Sequence, residues 1–298
     1  MKTKKIKPFL KWAGGKTQLI DAISNKFPYQ KADCFTYVEP FVGSGAVLFW
    51  VLQNYPAIKR AVINDVNTDL INTYNVVAES VDDLIDVLNL WSNEYQQLAN
   101  QKSKRDEYYY DKRDKFNARS TDTVCQAALF IFLNKTCFNG LYRVNRKNNF
   151  NVPVGSYTKP LICDRENLRA VSRLLKNVTI LNGDFTETLN YAGENTCFYL
   201  DPPYKPLTQT ANFTSYAKNP FNDTEQVRLK MFCDKLDSHG YKWILSNSDI
   251  KSENPDNGFF DDLYENYSID RVLAKRSINV NAEKRGRLNE LLINNFKA

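Results

Sequence analysis

Phe35-Thr36-Tyr37-Val38-Glu39-Pro40-Phe41-Val42-Gly43-Ser44-Gly45-Ala46-Val47-Leu48 opens on an apolar run, ends that run on a carboxylate, and passes through a Gly-x-Gly turn into a helical segment. Glycines in such a turn adopt backbone angles closed to other residues and let a ligand approach the main chain closely. Three more apolar runs end on polar residues, AVIND (61–65), FYLD (198–201) and KWILSNS (242–248), and VTILNGD (178–184) and ELLINN (290–295) are further strand candidates. Near-continuous apolar strands separated by helical stretches are buried on both faces. The expected fold is therefore α/β, a doubly wound and mostly parallel sheet. Ligands of such sheets bind beyond the carboxyl ends of the strands, which sets Glu39, Asp65, Asp184 and Asp201 on one rim.

The turn also narrows the ligand. A dinucleotide fingerprint would carry a third Gly or Ala where Leu48 stands, so a pyrophosphate fits less well. Asp65 ends the next strand, where a carboxylate takes both hydroxyls of a ribose, and a nucleoside without a diphosphate fits the pair. Taken alone, the Gly-x-Gly reads equally well as a structural tight turn. S-adenosylmethionine is a ligand of this kind. With it in view, FLKWAGGK (9–16) becomes a glycine turn offering Trp12 for packing and Lys16 for a carboxylate, the alternative being a helix-starting turn with a solvated lysine.

The stretch LDPPYKPL (200–207) leaves its strand through a carboxylate, two prolines and an aromatic ring. Each proline lacks an N–H and fixes φ, so the segment is stiff and its carbonyls have few local donors. An exocyclic base amine is a poor nucleophile because its lone pair is delocalised into the ring. The Asp201 carboxylate and the Pro202 carbonyl are suited to hold its two hydrogens and draw the nitrogen toward sp³, with Pro203 stiffening the turn and Tyr204 stacking on a base flipped from the duplex. Positioning and charge stabilisation then carry most of the catalysis. Methylation at a ring carbon of cytosine would need a cysteine nucleophile, usually after a proline, and no cysteine here follows one.

The 298 residues, 43% hydrophobic and 25% charged, are ordinary for a globular protein. No apolar run approaches the ~20 residues that cross a bilayer, and MKTKKIKPFL lacks the apolar core of a signal peptide, so a cytoplasmic protein without membrane contact is expected. Six cysteines stand singly and His239 is the only histidine, which disfavours a zinc site or a Ser/His/Asp triad; no metal is expected. The net charge of +6 is unevenly spread. Between Thr123 and Cys163 there is no acid, while Lys135, Arg143, Arg146, Lys147 and Lys159 are present; further basic clusters lie at Lys2, Lys4, Lys5, Lys7, Lys11 and Lys16, and at Lys275, Arg276, Lys284, Arg285 and Arg287. A polyanionic partner follows. Between about 73 and 170 the pattern also changes. Ser80 caps an amphipathic helix, DEYYYDKRDKFN is a polar aromatic segment, CQAALFIFLN is a strongly apolar helix, and FNGLYRVNRKNNFNVPVGSY suggests a hairpin around Arg146 to Asn149.

FLKWAGGK, VEPFVGSG, INDVN, FLNKTCFNGLYRVN, FNVPVGSY and LDPPYKPLTQTANFTSY, in that order, resemble the DNA adenine N6-methyltransferases of the Dam type, including those that pair with GATC-cutting restriction enzymes. The resemblance covers nearly the whole chain. It implies a Rossmann-like S-adenosylmethionine-dependent methyltransferase sheet in two parts, 1–72 and 171–298, and an inserted, mostly helical DNA-recognition domain with a β-hairpin, 73–170. It implies that Trp12, Lys16, Asp65 and Asp201 contact S-adenosylmethionine and that Glu39, Phe41, Gly43, Gly45, Asp184 and Phe185 line its pocket. Asp201, Pro202, Pro203 and Tyr204 would hold the flipped adenine. Phe138 and Asn139 match residues that open or orient the duplex, Leu141 and Pro153 match base-contacting positions, Arg143 matches an arginine that reads guanine, and Tyr157 stands beside Ser156, where relatives often carry an arginine. The implied protein is a monomer acting on double-stranded DNA, with a cognate restriction endonuclease as a partner in function rather than in a complex. Cytosine N4 methylation and a non-catalytic DNA-binding module on the same fold stay open as alternatives.

Overall fold

A computed structural model describes residues 5–12, 14, 16–205, 221–252, 254–275 and 287–296. Gly15 of the glycine turn, residues 206–216 of the last motif, and Lys2, Lys4, Arg276, Lys284 and Arg285 of the basic ends lie outside them.

The described strands are β1 Thr36–Glu39, β2 Arg60–Asp65, β3 Val178–Asn182, β4 Thr196–Leu200, β5 Lys242–Ser248, β6 Ser268–Lys275 and β7 Arg287–Asn294. They form one sheet in the order β3-β2-β1-β4-β5-β7-β6. All neighbours through β5 run parallel, and β7 runs antiparallel between β5 and β6. Alternation along the strands separates two cores. Tyr37, Ala61, Ile63, Tyr199, Ile244 and Leu292 pack on one face, whereas Val38, Val62, Phe198, Leu200, Trp243, Leu245, Leu291 and Ile293 pack on the other. Burial on both faces is what the near-continuous apolar runs required. Chain order reverses between β1 and β4, so the crevice beyond their carboxyl ends is the switch point where this architecture places its ligand. FYLD proves to be the end of β4, with Asp201 the first residue beyond it, and ELLINN is the latter part of a longer β7. β6 was not anticipated: SIDRVLAK pairs with β7 alone, and an edge strand carries charged and polar residues that hide its pattern.

Helices α1 Ile20–Lys26, α2 Ala46–Asn54 and α3 Thr68–Glu79 precede a helical block of α4 Val81–Gln97, α5 Lys102–Ala118 and α6 Thr123–Thr136; α7 Arg165–Leu175, α8 Asp223–Ser238 and α9 Phe259–Leu263 follow. Ser80 does precede α4, but its side chain makes no capping bond; its amide closes α3 instead, donating to Val76 O at 2.8 Å. The polar aromatic segment folds as α5. Its polar residues surround a narrow stripe of buried Tyr109, Lys112 and Phe116, and the Lys112 ammonium lies 4.0 Å from the Trp91 ring centroid. In contrast, α6 is buried on every side from Ala127 to Leu133. One apolar core runs from the sheet through α2 and α3 into α4, α5, α6 and α7, and the expected boundaries at 72 and 170 fall inside α3 and α7.

The hairpin closes with antiparallel bridges Cys137↔Val154 and Val144↔Phe150 instead of a continuous ladder. Asn148, with φ of 60°, makes the turn, and α5 braces it: the Asn117 amide both donates to Phe150 O (3.1 Å) and accepts from Phe150 N (2.7 Å).

Candidate active site

The glycine turn follows directly from β1. Gly43 and Gly45 have φ of +48° and +71°, and a Cβ on Gly45 would lie 2.6 Å from the Tyr74 hydroxyl oxygen, so the turn needs glycine for both conformation and space. Tyr74 fixes the turn by donating from its hydroxyl to Gly43 O at 3.0 Å. At the end of β2, Asp65 accepts from the amides of Gly43 (3.2 Å) and Asn67 (2.9 Å), one on each carboxylate oxygen. Burial still pushes its pKa up to about 6, the three amides that face it opposing the shift. Each oxygen retains acceptor capacity for a ribose hydroxyl. On the other side of the turn Phe41, Phe185 and Phe221 cluster with ring centroids 5.2 to 6.3 Å apart. A carboxylate beside a glycine turn and a nearby aromatic cluster fit an adenosine.

Asp184 caps the 3-10 turn Phe185–Tyr191 by accepting from Thr186 N at 3.0 Å. Arg228 of α8 donates to both of its oxygens, at 3.0 and 2.8 Å, and its guanidinium lies 4.2 Å from the Phe185 ring centroid. That hydrogen-bonded arginine, more than any other cause, holds the Asp184 pKa down to about 2.

The Asp201 carboxylate stands at the end of β4, in the centre of the rim. Lys16 Nζ lies 2.9 Å from Asp201 Oδ1, and Ser246 Oγ of β5 donates to the same oxygen at 3.0 Å. Both contacts fall on Oδ1. Tyr199 supports Ser246 from within the sheet at 3.1 Å. Lys16 is only 4% exposed; it also donates to Gly14 O at 2.6 Å and stands 4.4 Å from the Tyr204 ring centroid. The lysine expected to meet a ligand carboxylate thus meets one inside the chain. Glu39 is buried behind the pair and accepts from the Tyr37 hydroxyl at 2.7 Å; burial raises its pKa well above the carboxylate range, Tyr37 opposing and the Asp201 charge adding to the rise. Asp201 is also raised, by burial first, with Lys16 and Ser246 opposing.

The backbone after Asp201 is tied down unevenly. Gln226 Nε2 donates to Pro203 O (3.2 Å) and Ser248 Oγ to Lys205 O (2.8 Å), whereas the Pro202 carbonyl has no donor among the described residues.

Trp12 bridges this rim to the hairpin. Its indole stacks on Tyr142 at 5.5 Å and lies 3.1 Å from where a Cβ on Gly43 would stand. The Asn134 side chain holds both backbone groups of Lys11, accepting from its N and donating to its O at 2.8 Å each, and also donates to Gly140 O. Phe138 is 47% exposed and Asn139 next to it has φ of 54°. Arg143 extends along the hairpin surface, its Nε donating to Asn151 Oδ1 at 2.7 Å. Leu141 packs partly against the core, Pro153 O accepts from Phe138 N at 2.9 Å, and the Tyr157 ring carries the Lys11 ammonium at 4.0 Å.

Ser246, Phe221, Arg228 and Lys11 were missed as site residues. Polar Ser246 inside the apolar run KWILSNS and Lys11 inside FLKWAGGK were visible signals; Phe221 and Arg228 reach the rim only through the packing of α8 and the segment before it. Among the described residues no group of three or more His, Cys, Asp or Glu is placed to hold a metal ion, and no helix is long and apolar enough to cross a membrane.

A family model described as D12 class N6 adenine-specific DNA methyltransferase matches residues 12–278. The chain is 50% identical over 296 residues to the type II methyltransferase M.MjaIII of Methanocaldococcus jannaschii, covering 98% of this chain and 99% of that one. It is 35% identical to the type II methyltransferase M1.LlaDCHI of Lactococcus lactis subsp. cremoris (98% and 96% covered), and 39% identical to the DNA adenine methylase of Haemophilus influenzae (97% and 93% covered).

Proposed function

The chain belongs to the D12 class N6 adenine-specific DNA methyltransferase family, and from that premise we propose that it methylates N6 of an adenine flipped out of double-stranded DNA, within GATC. S-adenosylmethionine supplies the electrophilic methyl group. Trp12, Phe41, Phe185 and Asp65 would hold its adenosine, with Glu39, Gly43, Gly45 and Asp184 lining the pocket. The observation that carries the reading is the acceptor pair at the end of β4. Asp201 is pinned through Oδ1 by Lys16 and Ser246, while its Oδ2 and the adjacent Pro202 carbonyl, which have no donor among the described residues, suit the two hydrogens of an exocyclic amine. Held by both, the nitrogen would present its lone pair to the methyl carbon; the N–C bond would form as the donor's S–C bond breaks, a neutral thioether would leave, and the extra proton would pass from the nitrogen to solvent. Lys16 favours the ionised form of Asp201, and that carboxylate would stabilise the positive charge that grows on the nitrogen. Tyr204 stacks on the base.

Residues 73–170 would read the DNA. Phe138 and Asn139 would open or orient the duplex, Leu141 and Pro153 would contact bases, Tyr157 would lie at the DNA surface, and Arg143 would offer its two-pronged donor set to a guanine. GATC is supported by this arginine and by the Dam-named relatives. The protein would act as a monomer in the cytoplasm, with a cognate endonuclease as a partner in function rather than in a complex; two relatives carry the name type II methyltransferase.

Labelled S-adenosylmethionine and duplex DNA test the activity: label is expected in N6-methyladenine, and its absence from DNA sinks the reading. Label in N4-methylcytosine would establish the rival amine chemistry. Sequencing native methylation after expression in a methylation-free host gives the site, and any other motif overturns GATC. If Lys135, Arg146, Lys147 and Lys159 touch phosphates, log affinity falls with log salt at about −0.9 per contact; a flat dependence counts against DNA.

A further inference from the structure

Two prolines stiffen the backbone before Tyr204, yet they do not fix where its ring points, and a stacking ring is useful only at one angle. A contact at the far end of the ring fixes it. The Tyr204 hydroxyl donates to Glu290 Oε2 at 2.6 Å, a short, charge-assisted bond. Glu290 lies on antiparallel β7, where the register sets it opposite Ser248 of β5, and Ser248 in turn donates to Lys205 O. One strand pair therefore grips both the far end of the ring and the peptide that follows it.

The bond has an electronic side as well. Burial first, then the charges of Asp201 and Glu290, keep the phenol pKa well above its usual value, so Tyr204 remains a neutral donor. A phenol that donates to a carboxylate has a more electron-rich ring face. That face already meets the Lys16 ammonium at 4.4 Å, and it would favour the positive charge that develops on a methylated amine.

We propose that Glu290 is a positioning residue for methyl transfer: through the phenol hydroxyl it holds the Tyr204 ring at the angle that stacks on the flipped target base. The inference rests on the reading of Asp201 to Tyr204 as the amine-holding segment. It assigns a role to a strand far along the chain from that segment.

The test uses the full chain and four variants: Glu290→Gln, Glu290→Ala, Tyr204→Phe and the double variant Glu290→Gln/Tyr204→Phe. Three quantities are read: kcat on a cognate duplex, KM for S-adenosylmethionine, and the fluorescence of 2-aminopurine placed at the target position. Losing a hydrogen bond to a charged group is expected to lower kcat between about 10- and 100-fold in Glu290→Ala. The KM for S-adenosylmethionine should stay within about twofold, because no cofactor contact is removed. Glu290→Gln keeps an acceptor and should fall between. Tyr204→Phe should reproduce Glu290→Ala, the double variant should be no worse than the poorer single one, and 2-aminopurine should brighten as stacking loosens. Effects that multiply in the double variant, or a Glu290→Ala protein matching the parent in kcat and fluorescence, overturn the inference. If Glu290→Ala does not fold, the near-isosteric Glu290→Gln and Tyr204→Phe decide the matter alone. A parent protein that transfers no methyl to DNA defeats the proposed function itself; an active parent with indifferent Glu290 variants defeats only this inference.

Discussion

The rim of the sheet and the hairpin hold their key side chains in opposite ways. At the rim, Lys16 and Ser246 both hold Asp201 at the end of β4, and buried Glu39 at the end of β1 is held by the Tyr37 hydroxyl, so the key side chains are bound inside the protein. The hairpin has isolated bridges, a half-exposed Phe138 and an arginine lying along the surface on a neighbouring asparagine. On the proposed function, the contrast separates chemistry from recognition. A reaction that depends on where two hydrogens are held needs atoms fixed in advance, while a surface that meets a deformable duplex can take its final shape from the partner.

That contrast can be broken from either side. The largest effect belongs to the rim: Asp201→Ala is expected to lower kcat by about 100- to 1,000-fold while duplex affinity changes little, and a gel-shift assay beside the methylation assay checks the separation. Arg143→Ala should do the reverse. Its kcat/KM on the cognate site should drop about 10- to 100-fold, with methylation of near-cognate sites unchanged; equal losses on every sequence would show that Arg143 grips phosphates instead.

The cofactor side of the rim offers a pH test. Burial raises the Asp65 pKa from 3.8 to about 6, so the folded chain keeps this proton where the unfolded chain has lost it. Its contribution to folding stability is therefore present at low pH, is lost as pH rises through about 4 to 6, and is flat above that. On the proposed role of Asp65, cofactor binding has the opposite sign, because the ionised carboxylate is the form that would accept the ribose hydroxyls. Affinity for S-adenosylmethionine should weaken about tenfold between about pH 7.5 and about pH 5, and Asp65→Asn should flatten the profile in calorimetry. The smallest effect lies at the rim's exposed margin. The Arg228–Asp184 pair is 39% exposed on each side, so Arg228→Gln should move the KM for S-adenosylmethionine by no more than about fivefold; a larger change would place that margin with the preorganised centre.

The strand ends were the legible part of the sequence. Glu39, Asp65 and Asp201 announce themselves because a buried strand has no use for a carboxylate except where it emerges, and the glycine turn does the same through its spacing. What stayed hidden was set by packing between distant segments. The bond of Lys16 to Asp201 joins positions with no periodic relation, Arg228 reaches Asp184 from α8, and β6 looks like a loop until β7 is beside it. The helix α5 was obscured for another reason: three buried side chains suffice to seat it, and the rest of its surface is polar.

β7 is the last of the seven described strands in chain order, yet it enters the sheet between β5 and β6. During synthesis the rest of the site therefore emerges first and must wait for it. A product that stops before residue 287 lacks both Glu290 and the partner of β5, leaving that strand's backbone edge open to other chains. The expected result is an insoluble fragment with no residual methylation, which expression of residues 1–286 checks by fractionation. On that expectation, a chain still lacking β7 would not modify DNA.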